Sequence, residues 1–161
     1  MTGLADRSGK VLVLGIGNEI LTDDGIGLKL LEDLEKKGIP AGADFVKATV
    51  GGLEILDLIS GYKSVVFLDA IRTANGVPGT VYVMDLSDFS ETLHLSNLHD
   101  ISFIQAIKLG KTLGYSLPAA MHILAVEIVE DLVFSNQFTE AIESRYPEIL
   151  ARVEFFCESL G

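Results

Sequence analysis

The chain has 161 residues, 48% hydrophobic and 22% charged, which excludes a disordered chain or a disulfide-stapled miniature and fits one globular domain over residues 1–161. Twelve basic against twenty-three acidic residues leave a net charge of −11, so a nucleic-acid backbone or an anionic membrane would be repelled over most of the surface. Charges or glycines interrupt every apolar run before the roughly 18 residues of a bilayer span. No small-residue cleavage pattern follows the apolar VLVLGIG that begins at Val11, and the lone Cys157 has no partner for an internal disulfide. The expectation is a soluble, cytoplasmic monomer that binds neither nucleic acid nor membrane.

Along the chain, continuous apolar or period-2 runs alternate with period-3.6 runs, and no repeat or linker divides them. Lys10 to Ile16 reads as a fully buried strand. Gly25 to Lys37 reads as a helix with Ile26, Leu30, Leu31 and Leu34 on one face, closed by Gly38. Phe45 to Thr49 is a second strand, Leu53 to Ser60 a short helix ended by Gly61, and Ser64 to Ile71 a third, nearly uninterrupted apolar strand. The turns at Asn75-Gly76 and Pro78-Gly79 lead into Thr80 to Met84, joined too closely to the third strand for a parallel crossover and therefore an antiparallel edge. Ser102 to Leu113 is a helix and Ala119 to Val126 a last buried strand. Thr139 to Leu160 is a C-terminal helix that Pro147 must kink or restart. The fold class is α/β: a three-layer αβα sandwich with a mostly parallel central sheet and an antiparallel edge strand. Its ligand site is expected at the carboxyl ends of the strands.

That rule selects residues. The first strand ends in GIGNEILTDDGIG, where Gly15 and Gly17 permit a tight turn and Asp23 and Asp24 stand at the mouth of the first helix. Capping and the helix dipole are sufficient reasons for such a pair. Asp69, however, ends an otherwise apolar strand, where a carboxylate is costly unless something binds it. His99, in SNLHDIS, stands just before a helix. His122 lies inside an apolar strand and reads as a core residue, and His94 has no acidic neighbour or helix start to position it. Two carboxylates and an imidazole at one end of a sheet suit a divalent transition metal with positions left open.

These residues carry a resemblance over nearly the whole chain to the nickel-iron hydrogenase maturation endopeptidases. GIGNEILTDDGIG is similar to the family's G-x-G-N-x-x-x-x-D-(D or E)-x-x-G. The likeness continues through LDA at Leu68 to Ala70, VPGTV at Val77 to Val81, and His99 followed by a helix. The resemblance implies a metal-dependent endopeptidase that cuts a C-terminal extension from a hydrogenase large-subunit precursor after nickel insertion. Asp24, Asp69 and His99 fall on the family's metal-contacting, catalytic positions. It also implies that nickel comes with the substrate and that the protein holds no tight cofactor of its own. Two segments depart from the family pattern: Lys47, Ala48, Thr49 and Val50 precede Gly51 and Gly52 in place of D-G-G-T, and VEIVEDLVFSNQFT follows the last strand without a proline. The acidic residues of that second segment, Glu127, Glu130 and Asp131, read as a solvated face.

Cys157 lies on the core stripe of the last helix and no GxSxG elbow exists, so neither thiol nor serine is the expected nucleophile. Water remains, with a carboxylate such as Asp23 or Asp69 as general base. A dinucleotide enzyme is discounted because Ile20 stands where G-x-G-x-x-G needs its third glycine and two aspartates would repel a phosphate. The alternative that stays open is a non-catalytic, nickel-dependent chaperone for a metalloenzyme precursor, since the same ligands could serve binding alone.

Overall fold

The computed structural model describes residues 6–48, 53–86 and 98–161, with side chains described from 105 onward in the last segment. The apolar run VLVLGI forms β1 (Val11–Ile16), with every residue buried, and SVVFLDAI forms β3 (Ser64–Ile71), likewise buried throughout. Strands with no polar face need cover on both sides, the condition met in the middle of a parallel sheet. β2 (Asp44–Ala48), β4 (Val81–Asp85) and β5 (Ala120–Glu127) complete a five-stranded sheet in the order β2-β1-β3-β5-β4. β1 runs parallel to β2 and β3, and β3 parallel to β5, with Leu14 opposite Phe67 and Leu68 opposite Leu124. β4 is the expected antiparallel edge and pairs with β5, Val83 opposite Leu124.

Alternation along the strands sorts two cores. Val13, Val66, Leu68 and Leu124 pack with α1 (Ile26–Lys37) and α4 (Glu140–Glu158), through Leu30, Leu34, Ile142, Val153 and Cys157. Leu14, Val65, Phe67 and Ile123 pack on the other face with α2 (Leu53–Ile59) and α3 (Leu98–Leu113), through Ile55, Ile59 and Ile107. This is the αβα sandwich expected from the pattern.

Several boundaries differ. A 3-10 turn, Thr22–Gly25, precedes α1, which starts at Ile26. Pro147 does not restart α4, which runs through it as one element with the proline on its exposed side. α3 starts at Leu98, four residues ahead of Ser102. No glycine or proline lies between them to stop the helix earlier, so His99 belongs to its first turn instead of preceding it. β2 ends at Ala48, and Thr49 to Gly52 lie outside the described residues.

Candidate functional site at the carboxyl ends of β1 and β3

β1 connects through α1 to β2 on one side, while its other neighbour is β3. The connections therefore diverge between β1 and β3, and a crevice opens at their carboxyl ends. The first helix sits directly on that edge: a Cβ on Gly27 would come within 2.4 Å of the Leu68 carbonyl oxygen and 2.7 Å of that of Ile16. Only a residue without a side chain lets α1 approach so closely, and the approach sets the Thr22–Gly25 turn above the crevice.

Asp24 stands in that turn, 7% exposed. The Asn18 N–H donates to its Oδ2 at 2.9 Å, and the Asn18 side chain shapes the loop by accepting from the Ile20 N–H at 3.1 Å. Gly17, at φ +148, lies so close that a Cβ there would stand 2.1 Å from the Asp24 carbonyl oxygen. Asp69 lies in β3 opposite Ala125 and shares the parity of Phe67 and Ile71, the side of α2 and α3. It is also 7% exposed, and its Oδ1 accepts from the Ala70 N–H at 2.8 Å. The structure thus puts Asp24 and Asp69 at one edge, on the two sides of the divergence.

His99 enters through α3. The carboxyl end of that helix leads to Ser116, whose carbonyl accepts from the Gly61 N–H at 2.9 Å just before β3 begins. Its sixteen residues, rising about 1.5 Å each, make it roughly 24 Å long, enough to reach from that end of the sheet to the carboxyl edge. The His99 side chain lies outside the described residues, as does all of His94. Among the described residues, no three His, Cys, Asp or Glu side chains are grouped so as to hold an ion.

Asp23 is fully buried and has a different environment. Its Oδ2 accepts from the N–H groups of Val129 at 3.1 Å and Glu130 at 3.0 Å, and its Oδ1 from the Thr139 N–H at 2.8 Å. The Thr139 hydroxyl donates to the same carboxylate, at 2.9 Å to Oδ2. Thr22 is tied to the same segment: its N–H donates to the Ser135 carbonyl at 2.9 Å and its hydroxyl to that of Val133 at 2.5 Å. These bonds hold Thr22 at φ +52, a left-handed conformation that β-branched residues rarely adopt. The segment so held exposes Leu132 and Phe134, 78% and 77% accessible.

The acidic run after β5 is not a solvated face. Glu127 is 1% exposed and accepts from the Thr73 N–H at 2.8 Å, the Thr73 hydroxyl and the Tyr82 hydroxyl. It fastens the 72–80 connection over the end of β5, where the Gly79 N–H also donates to its carbonyl at 2.8 Å. Glu130 accepts from the N–H of Asp131, and Asp131 pairs with Arg72 at 2.7 Å. Glu127 carries the same signal that singled out Asp69, an acid at the end of an apolar strand. Thr139, one residue ahead of α4, was visible only as a helix-start residue.

His122 is half-buried, its ring edge-on to Phe156 with centroids 5.2 Å apart, and so lies at the rim of the core and not inside it. Cys157 is fully buried, and burial pushes its thiol up to about 12. A thiolate nucleophile is therefore absent at neutral pH.

Residues 10–154 match the family model described as hydrogenase maturation protease. The chain is 33% identical over 76 residues to the Hydrogenase 2 maturation protease of Escherichia coli, covering 47% of this chain and 46% of that protein. It is 30% identical over 125 residues to the hydrogenase expression/formation protein HupD of Rhodobacter capsulatus, covering 75% and 58%. The chain thus spans about half the length of these relatives. In fold it is similar to the hydrogenase maturating endopeptidase HybD from E. coli, with TM-score 0.72 at 23% identity over 89% of each chain. The NiFe hydrogenase maturation protease HybD from Thermococcus kodakarensis superposes with TM-score 0.70 at 22% identity, covering 92% of this chain and 99% of that one. With 145 of its residues inside the matching span and the same sheet and helices around the acidic crevice, the chain belongs to the hydrogenase maturation protease family.

Proposed function

We propose that this protein is an endopeptidase that removes a C-terminal extension from a nickel-iron hydrogenase large-subunit precursor once nickel is in place. The observation that carries the proposal is the placement of Asp24 and Asp69 on the two sides of the β1/β3 divergence, where open α/β sheets take their ligands. Both carboxylates are held by neighbouring backbone N–H groups, so each presents a fixed geometry. Joined by the His99 imidazole that the family resemblance assigns to the site, they would make a mixed oxygen and nitrogen set suited to nickel.

The nickel is the substrate's. Bound by the precursor's own cysteines, it meets Asp24, Asp69 and His99 and fixes the scissile peptide beside the crevice. Water attacks the carbonyl and passes its proton to a carboxylate, which returns it to the leaving amine. Asp23 does not suit this role, because its oxygens are taken up by backbone and hydroxyl donors, and Asp69 is the candidate base. The isolated protein is expected to hold no tight metal. Stoichiometric, chelator-resistant zinc whose removal abolished activity would instead make it an ordinary zinc hydrolase.

The deciding experiment incubates the protein with nickel-loaded and nickel-free precursor. Shortening of the loaded form alone is the expected result. Nickel-dependent binding without shortening would identify a chaperone on the same fold, and cleavage indifferent to nickel would remove the metal from the mechanism.

A further inference from the structure

We propose that Asp23 is a positioning residue, which sets Asp24 by clamping the 3-10 turn to the segment between β5 and α4. The inference rests on the reading of Asp24 as part of the site. Asp23 precedes Asp24 directly in the turn, and its carboxylate is fully buried. Everything that meets it from the 129–139 segment is a donor: three backbone N–H groups and the Thr139 hydroxyl. A carboxylate accepts on both oxygens, whereas a carboxamide of the same shape must turn an NH2 toward one of these N–H groups. The shell therefore specifies aspartate at this position and not merely a polar residue.

The clamp bears on the turn's geometry because the turn is strained. Thr22 is held at φ +52 by its two bonds to Val133 and Ser135, a conformation kept only where the surroundings enforce it. Those surroundings are the segment that Asp23 fastens and that the Asp131–Arg72 pair ties to the end of β3. With the clamp released, Thr22 relaxes toward ordinary dihedrals and Asp24, two residues on, moves. The Asn18 N–H that donates to Asp24 reports the movement.

The test compares wild type with Asp23→Asn and Thr139→Val at a temperature where each is folded. Cleavage of nickel-loaded precursor is followed at saturating substrate, and amide hydrogen exchange is followed at Asn18. Asp23→Asn should lower kcat by about 10²-fold, the effect of a misplacement of about 1 Å, with a smaller change in KM, and should speed exchange at Asn18. Thr139→Val removes one donor and should move both readouts the same way by less. A folded Asp23→Asn protein with wild-type kcat and Asn18 protection, merely less stable, overturns the inference. If Asp23→Asn does not fold, Thr139→Val decides: lost stability without change in kcat or exchange refutes positioning. Because the exchange measurement needs no turnover, faster exchange in a protein whose wild type does not cleave would sink the proposed activity and leave the clamp standing.

Discussion

Replacing Gly17 with alanine tests whether the turn after β1 really presses against Asp24. Gly38, the residue after α1, provides the comparison. It lies at φ +66 with nothing within 4 Å of an added Cβ, so Gly38→Ala carries only a left-handed backbone penalty of about 1 kcal/mol. Gly17→Ala carries a backbone penalty of about 1–3 kcal/mol and a collision, since its Cβ would stand 2.1 Å from the Asp24 carbonyl oxygen, where real Cβ contacts begin near 3.0 Å. The turn must retreat by about 1 Å, at roughly a further 1–3 kcal/mol. At about 2–4 °C per kcal/mol for a domain of this size, Gly38→Ala should melt a few degrees below wild type and Gly17→Ala about 10 °C below. The same retreat displaces Asp24, so cleavage of nickel-loaded precursor should fall by about 10²-fold in the folded protein. Circular dichroism melts and cleavage assays below both transitions measure the two effects. A Gly17→Ala protein as stable as Gly38→Ala would refute the close approach, and one that is destabilised but fully active would refute its link to the site.

If Asp24, Asp69 and His99 grip one metal, then Asp24→Asn, Asp69→Asn and His99→Ala should each nearly abolish cleavage. Any two together should then lose little more than one, with His94→Ala close to neutral; full activity in His99→Ala with loss in His94→Ala would reassign the third ligand. Cys157, pushed up to about 12 by burial, should resist iodoacetamide in the native protein at pH 8. Cys157→Ala should lower stability by about 1–3 kcal/mol without loss of turnover, and an inactive but folded variant would restore the thiol as nucleophile. The Tyr62 hydroxyl donates to Asp44 at 2.7 Å, and burial with that bond raises Tyr62 from 10.0 to about 12. Its contribution to stability should be complete below pH 10 and lost as pH rises toward 12, because only the unfolded chain ionises in that window. Asp44 has the opposite sign: the Tyr62 hydroxyl and Lys10 hold it below its ordinary 3.8, so its contribution fades as pH falls through the lowered value. Urea midpoints of wild type and Tyr62→Phe should converge between pH 9 and about 12, and parallel curves would refute the coupling.

The centre of the sheet was readable because β1 and β3 are buried on both faces and hence almost continuously apolar. Ser64–Ile71 is bounded as the hydrophobic run is, and β4 is antiparallel because the nine residues between Ile71 and Val81 cannot carry a crossover. Helix starts were less readable. Ser102 has the chemistry of a cap, but α3 begins at Leu98, since nothing ahead of Ser102 forbids another turn and propensity alone does not fix a boundary. Pro147 sets no second start: a proline deletes one intrahelical bond, and a helix anchored by Ile142 on one side and Ile149, Val153 and Cys157 on the other continues past it.

Four carboxylates crowd the carboxyl edge, and local sequence could not sort them because it does not contain their partners. Asp23 and Asp24 are neighbours with the same capping explanation, yet the donors that enclose Asp23 come from Val129, Glu130 and Thr139, 106 to 116 residues away. Those of Glu127 come from Thr73 and Tyr82, 54 and 45 residues away. An acid in an apolar context announces only that something must compensate its burial. Where the compensation is a set of N–H and O–H groups from another part of the chain, the acid is a fastener, and Asp23 and Glu127 fasten the two loops that border the crevice. Asp24 and Asp69 are each oriented by a neighbouring N–H, that of Asn18 and that of Ala70. Substitution of Asp23 or Glu127 is therefore expected to loosen the walls of the crevice, because it removes bonds that join segments 45 to 116 residues apart.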